Sequence, residues 1–230
     1  GTRRVIPNLS VPDVVVVERL SPQRLFAELK IAFSNKSYRS IFFGLTFSGA
    51  VLALEGAFGT FINVHFWELE TDQIVWISVG ILGGLPVGIL IGAYLVRILD
   101  KKWCLIIPAA VSIVNANLLV LLRLLEVLPP NGDPIILPLL VGSGVIGAIA
   151  TPVVFISINS MFADITDEIE LETGERQEGI VFSARAFAGK AANAFGTMAG
   201  GLALDFIAFP KQALPGTIDA DIIFNLGLVQ

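Results

Sequence analysis

Lys190 lies near the middle of a long apolar stretch that runs from Gly179 to Phe209. An ammonium group at the centre of a membrane span costs roughly 2.5–3.5 kcal/mol on insertion scales, so a lysine there usually faces a cavity and meets a partner or a ligand. At helical spacings of three or four residues, one face also carries Ser183, Phe187, Asn193 and Thr197. This face predicts a polar lining that binds a solute. A structural ion pair between helices is the alternative role for Lys190.

A carboxylate in another apolar stretch, Glu55, is the second candidate for chemistry. Four roles are open to it: a proton carrier, a cation ligand, the partner of Lys190 or Arg185, or a helix-packing hydrogen bond. In a later stretch the Thr151-Pro152 pair indicates a bend, because proline removes a backbone hydrogen bond from a helix. The predicted substrate-binding residues are Lys190, Asn193, Glu55, Thr151 and Asn159.

The composition indicates the environment of the chain. Hydrophobic residues make up 54% and charged residues 15%, whereas a soluble domain carries about 25% charged residues. The net charge of −5 comes mostly from one acidic segment. The sequence also shows no basic surface that would suggest a nucleic-acid partner. The single cysteine, Cys104, can form no intramolecular disulfide. No Ser-His-Asp set, metal-ligand cluster or phosphate loop is visible, and we expect neither an enzyme nor a bound cofactor.

Five apolar segments have the length of membrane spans, about 20 residues or more, and a sixth begins near the end of the chain. We predict α-helices throughout, because a backbone exposed to the lipid bilayer must satisfy its own hydrogen bonds. The predicted fold class is therefore an all-α integral membrane bundle. Its spans are residues 40–67, 74–96, 103–125, 135–163 and 179–209, with a truncated span from 222.

Residues 1–39 precede the first span and are predicted to form a cytoplasmic linker and an interfacial amphipathic helix. The pair Ser21-Pro22 is a favourable helix start, with serine as N-cap and proline at the first helical position. One apolar face then follows, formed by Leu25, Phe26, Leu29 and Phe33. Residues 40–230 form the second unit, the transmembrane bundle.

Positive charge sets the predicted orientation, because loops rich in lysine and arginine stay on the cytoplasmic side. Two segments are basic, and they contain Arg3, Arg4, Arg19, Arg24, Lys30, Lys36, Arg39, Arg97, Lys101 and Lys102. The first loop on the other side carries Glu68, Glu70 and Asp72 without a base. We therefore expect a cytoplasmic N-terminus and insertion in a plasma (inner) membrane.

The most specific motif runs from Ser160 to Gly179 and reads SMFADITDEIELETGERQEG. It resembles the loop before the eleventh helix of the glycoside–pentoside–hexuronide:cation symporter family, a branch of the major facilitator superfamily. In that family S-M-x-A-D precedes T-G-x-R-x-E-G. The next helix is also similar, with Phe182-Ser183, Phe187 and Lys190 followed by small residues. The chain departs from the pattern at Asp100, where the family often has glycine.

This resemblance implies helices seven to eleven of twelve and the start of the twelfth, in a piece of a longer protein. A self-contained small membrane protein is the alternative. The resemblance also implies symport of a sugar- or glycoside-like solute with Na⁺ or H⁺ by alternating access, against an N-terminal six-helix half that would hold most of the cation site. The alternatives are a lysolipid or other organic-solute transporter of the superfamily, or a non-transporting receptor or scaffold.

Charged residues on the predicted cytoplasmic side complete the site. Each exposed ion pair contributes little to stability, so such pairs suit a gate that has to open. A merely solvated acidic loop is the alternative. The predicted gating residues are Asp164, Asp167, Arg176, Glu178, Arg97 and Lys102.

Overall fold

Seven α-helices make up most of the residues that the computed structural model describes, which are 22–174, 178–210 and 216–229, and no strand occurs in these ranges. A π-helical segment, Ile62–Phe66, continues the second helix. The helices are α1 (Pro22–Ser34), α2 (Lys36–Phe61), α3 (Thr71–Ile98), α4 (Lys101–Leu124), α5 (Ile136–Thr173), α6 (Glu178–Phe206) and α7 (Ala220–Val229). The predicted all-α class is confirmed.

Four helical stretches are long and apolar enough to cross a membrane: Lys36–Phe66, Thr71–Ile98, Lys101–Leu124 and Ile136–Glu172. α6 has 29 residues, which at about 1.5 Å per residue is long enough to span. It is not among the four, because its small and charged residues make it less apolar. That α6 and the short helix α7 cross the bilayer stays a prediction.

The two N-terminal helices differ from the predicted pattern only in where α2 begins. α1 begins at Pro22, as predicted. α2 begins at Lys36, earlier than the predicted span, because Asn35 is its N-cap and accepts a hydrogen bond on Oδ1 from the Tyr38 backbone N–H at 2.9 Å. An amide oxygen in this position satisfies one of the donors that a helix start leaves unpaired. The predicted linker, residues 1–21, lies outside the described residues.

The acidic segment that was predicted to be a loop is mostly helical, and this prediction was wrong. α5 continues through it to Thr173 and ends at Gly174, which has the left-handed φ of 73° that favours glycine at a helix end. Ile165 and Ile169 are buried, whereas Asp164 and Asp167 are exposed. The apolar side chains four residues apart keep the helix packed against the bundle after it has become charged.

The helices form two groups that differ in how they pack. α5 packs along α3 and α4, and Asn115 of α4 donates a hydrogen bond to the Ser143 carbonyl oxygen of α5 at 2.9 Å. α6 packs along α2, with α1 against both. We call these the α3–α4–α5 group and the α1–α2–α6 group. α7 contacts the π-helical segment and α4, and so touches both groups.

Two clusters of buried apolar side chains connect the groups at opposite ends. At the end that holds α1, the Phe162 cluster contains Ala32, Tyr38, Ile158, Phe162, Ile165, Ile169 and Val181. At the other end, the Phe58 cluster contains Phe58, Ile62, Phe66, Trp67, Leu69, Val120, Ile136, Ile207 and Leu226. The substrate-binding candidates Glu55, Thr151 and Lys190 belong to neither cluster and lie at sequence positions between them.

Glycines on α3 allow the closest approach within the first group. A Cβ atom added at Gly84 would lie 2.9 Å from the Ala148 Cβ of α5, and one added at Gly88 would lie 2.8 Å from the Ile149 Cα and collide with its carbonyl oxygen. Gly83 lies off this stripe, and an added Cβ there meets nothing within 4 Å. Small residues bring helix backbones into the contact that drives association in lipid.

We expect Gly88→Ala to destabilise the protein by about 1–3 kcal/mol, as overpacking does in a filled interior. Gly83→Ala is the matched control, since it makes the same chemical change in the same helix without a neighbour. Thermal unfolding in detergent should therefore show a lower Tm for Gly88→Ala and an unchanged or higher Tm for Gly83→Ala. Equal Tm values for the two variants would contradict this packing.

Candidate functional site

α6 presents two different faces, and its small residues define the first. Ala188, Ala192, Gly196 and Gly200 follow one another at intervals of four and are all buried. A Cβ added at Gly196 would collide with the Ala50 carbonyl oxygen of α2, and one added at Gly200 would lie 2.7 Å from the Ala57 Cβ. This face is therefore the seam between α6 and α2. Gly189 is not part of it, since nothing lies within 4 Å of the position of its Cβ.

The opposite face of α6 carries the polar residues that the spacing predicted. Lys190 is two residues from both Ala188 and Ala192, which is about 200° around a helix. It is therefore directed away from α2, and it is exposed. The same is true of the other members of this face, and Phe187 has 75% of its surface exposed. The exposed α6 face consists of Ser183, Phe187, Lys190, Asn193 and Thr197.

Glu55 is on the far side of α2. It is two residues from Ala53 and from Ala57, which both pack against α6, so it too lies about 200° away from the seam. Glu55 and Lys190 are therefore directed to opposite sides of the α2–α6 pair. Among the residues that the structure describes, neither has an ion-pair partner. The geometry does not bring these two candidates together.

Thr151 is exposed on α5 immediately before Pro152, and its hydroxyl donates to the Gly147 carbonyl oxygen at 2.8 Å. The threonine hydroxyl keeps acceptor capacity, since an O–H donor has two lone pairs as well. Asn193 is also exposed, on the exposed α6 face. The structure leaves both side chains accessible, and their role in binding stays a prediction.

Asn159 contacts α6 through Arg185, a residue that was not predicted to be part of the site. The Arg185 Nη1 donates to the Asn159 Oδ1 at 2.7 Å, and the Asn159 Nδ2 donates to the Phe155 carbonyl oxygen at 2.7 Å. The Arg185 guanidinium also lies over the rings of Phe162, at 4.6 Å, and Phe182, at 6.0 Å. Both ends of the Asn159 amide are thus used in contacts with protein groups.

The exposed α6 face has the chemistry of a solute-binding wall. Lysine can only donate hydrogen bonds, whereas an asparagine amide and the serine and threonine hydroxyls both donate and accept. Such a set matches a solute with several hydroxyl groups or with an anionic group. Within the described ranges, no group of His, Cys, Asp and Glu side chains is arranged to hold a metal ion.

One salt bridge involves a predicted gating residue. The Lys101 Nζ lies 2.6 Å from Oδ2 and 2.7 Å from Oδ1 of Asp164, on the rim of an open cavity of about 560 Å³. The pair joins the start of α4 to α5, which already pack together. It therefore fastens one helix group internally. The basic turn was predicted to supply this partner, but Lys101 was not among the predicted gating residues.

The other gating candidates lie at the ends of α3, α4, α5 and α6 where the structure describes them. Arg97, Lys102 and Asp167 are exposed, and Glu178 is the first residue of α6. Arg176 lies outside the described residues. Asp100 has a structural reason for its departure from the family pattern, because it is the N-cap of α4 and accepts the Lys102 backbone N–H at 2.9 Å.

Comparison with known proteins gives one family. Residues 16–229 match the family model described as MFS/sugar transport protein. The match covers nearly the whole chain, so the resemblance read from the Ser160–Gly179 motif is confirmed at this level. No curated protein matches the chain.

We expect Asp164→Asn to lower the stability by at most about 1 kcal/mol, because both partners of the salt bridge are partly exposed to solvent. The loss should be smaller at high salt, which screens the wild-type pair. Asp167→Asn is the matched control, and it should leave the Tm unchanged. Exchange of the charges, Lys101→Asp with Asp164→Lys, should restore most of the loss. Failure of the exchange to restore Tm, with equal effects of the two single Asn variants, would mean that the pair contributes nothing.

Proposed function

The chain belongs to the MFS/sugar transport protein family, and on this premise we propose that it is the C-terminal half of a secondary transporter. The proposed reaction is symport of a sugar- or glycoside-like solute with Na⁺ or H⁺. Membership supports a major facilitator superfamily transporter in a membrane. The solute, the coupled cation, the plasma-membrane location and the cytoplasmic N-terminus belong to the proposal.

The exposed α6 face is the observation that supports the proposal most directly. A lysine in a membrane segment is costly unless it faces a polar cavity or a partner. Lys190 has no ion-pair partner among the described residues and shares its face with hydroxyl and amide groups. A binding wall on one half of the transporter accounts for this arrangement, with the N-terminal six-helix half supplying the opposite wall.

Alternating access between this chain and an N-terminal half is the proposed mechanism. In transporters built from repeats, the substrate site lies near the bilayer midplane and the halves rock about it. The seam between α6 and α2 keeps Lys190 on a rigid surface. Thr151, which immediately precedes Pro152, would contact the solute from α5. Binding residues on rigid helices hold their geometry better than residues on loops.

Glu55 supports a separate site for the coupled cation. It is half-buried and lies on the side of α2 that faces away from the seam with α6. A carboxylate there can bind Na⁺ or carry a proton without contact with the solute at Lys190. The two groups would then be coupled through α2 and its seam, not through direct attraction.

A lysolipid or another amphiphilic anion is the second candidate solute. Phe187 is 75% exposed one helical turn before Lys190, so the same face offers an apolar surface beside a positive charge. This combination also suits an anionic headgroup with an attached chain. Competition experiments with sugars and with lysolipids in the same uptake assay separate the two.

We expect Lys190→Ala in the intact transporter to insert normally and to lose uptake, because the cavity loses its ammonium group and the helix loses a costly charge. Lys190→Arg is the control that keeps the positive charge, and it should retain part of the uptake. The measurement is counterflow in proteoliposomes with equal amounts of inserted protein. Full counterflow activity in Lys190→Ala would remove this residue from the site.

We expect Glu55→Gln to alter how uptake depends on the cation while the solute still binds. Removing the negative charge removes the group that attracts Na⁺ or accepts H⁺, so the dependence of uptake on sodium concentration or on pH should flatten. Solute binding without a gradient is the control, and it should change much less. Identical sodium and pH profiles in the wild type and the variant would leave Glu55 with a structural role only.

A further inference from the structure

Apart from the two apolar clusters, the two helix groups share few contacts between their backbones. α6 packs along α2 and α5 packs along α3 and α4, but the described parts of α5 and α6 make little backbone contact with each other. The link between them near the α1 end is made by side chains. Arg185 of α6 reaches Asn159 and Phe162 of α5.

The contact is oriented on both sides. The hydrogen bond from the Asn159 Nδ2 to the Phe155 carbonyl oxygen turns the amide oxygen towards Arg185. The face of the Phe162 ring, which is fully buried, lies 4.6 Å from the guanidinium carbon. A guanidinium is attracted to the negative face of an aromatic ring. The arginine is thus held by a planar amide and a planar ring at once, which a flexible lysine would match poorly.

The charged guanidinium of Arg185 donates its hydrogen bond to an uncharged acceptor, the Asn159 amide oxygen. Among the described residues it has no salt bridge, and the acceptor at 2.7 Å is an amide. A hydrogen bond between two charged groups is stronger than one between a charged group and a neutral one. An amide acceptor therefore makes a contact that is specific in geometry yet weaker than an arginine–carboxylate pair.

We propose that Arg185 is a positioning residue. Together with Asn159 and Phe162 it forms the Arg185 clamp, which sets the placement of the α1–α2–α6 group against the α3–α4–α5 group. Lys190 is on the same helix, little more than one turn further along, so a shift of α6 at the clamp moves the exposed α6 face with it. The consequence for transport rests on the proposed function, whereas the consequence for helix placement does not.

The structural test measures the distance between the two groups directly. Spin labels are attached at Ile98 of α3 and Ala186 of α6, both exposed, after replacement of the lone cysteine by Cys104→Ser. We expect Arg185→Ala to widen the distance distribution and shift its mean to longer values. Asn159→Asp gives up the hydrogen bond to the Phe155 carbonyl oxygen but offers a carboxylate to Arg185, and it should narrow the distribution because a hydrogen bond between two charged groups is the stronger contact. Arg39→Ala removes an exposed arginine from α2 and serves as the control with no change.

The transport test uses the intact transporter and asks which kinetic constant changes. Arg185 is not on the exposed α6 face, so the KM for solute should stay within about twofold while Vmax falls about tenfold, a change that corresponds to ~1.4 kcal/mol. The double variant Arg185→Ala with Asn159→Ala should have a Vmax no lower than that of the slower single variant, because the two substitutions remove the same hydrogen bond.

Two results would overturn the proposal. One is an unchanged distance distribution in both Arg185→Ala and Asn159→Asp. The other is a rise in KM with Vmax preserved, which would make Arg185 a solute-binding residue. If Arg185→Ala does not fold, Asn159→Asp at an exposed position decides the structural question alone. Absence of any uptake in the wild type would count against the proposed function and would leave the distance measurements as the test of the clamp.

Discussion

Close approach of helix backbones is the constraint on which the rest of this structure depends. In lipid, the hydrophobic effect contributes little to the association of two apolar helices, because lipid tails are as apolar as their side chains. The helices therefore associate through close packing and hydrogen bonds. Here the small residues stand four apart, on α6 against α2 and on α3 against α5. Because those faces pack against each other, the rotation of each helix about its axis is fixed, and so is the direction of its other faces. Lys190 and Glu55 are consequently held on opposite sides of one helix pair.

The helices and their polar faces could be predicted from the sequence, because both follow from hydrophobicity and from spacing along a helix. The exact seam could not. Gly189 and Ala188 are both small residues that precede Ala192, and only the structure shows that Ala188 is buried whereas nothing lies near the Cβ position of Gly189. The helical extension of α5 was missed for a related reason. Its many carboxylates suggest a loop, whereas the burial of Ile165 and Ile169 decides the structure.

Partner choice among charged residues was also beyond the sequence. Several bases stand close together at the end of α3 and the start of α4, and the salt bridge with Asp164 uses Lys101. Asp100, as N-cap, determines where α4 begins and thus which base faces α5. The two polar links around α5 differ accordingly. A fully charged pair joins helices that already pack together, and a charged group with a neutral acceptor joins α5 and α6, whose backbones make little contact.

The order in which the helices are synthesised is at odds with the order in which they pack. α3, α4 and α5 are consecutive, so α4 is followed directly by its main partner α5, and α3 waits for one intervening helix only. α2 has to wait for α6: the Tyr38 hydroxyl donates to the Val181 carbonyl oxygen across 143 residues. At about 5–20 residues per second, that interval is roughly 7–30 s. During it, the face of α2 that packs against α6 is without this partner. The wall that carries Lys190 is therefore among the last parts of the bundle to be assembled.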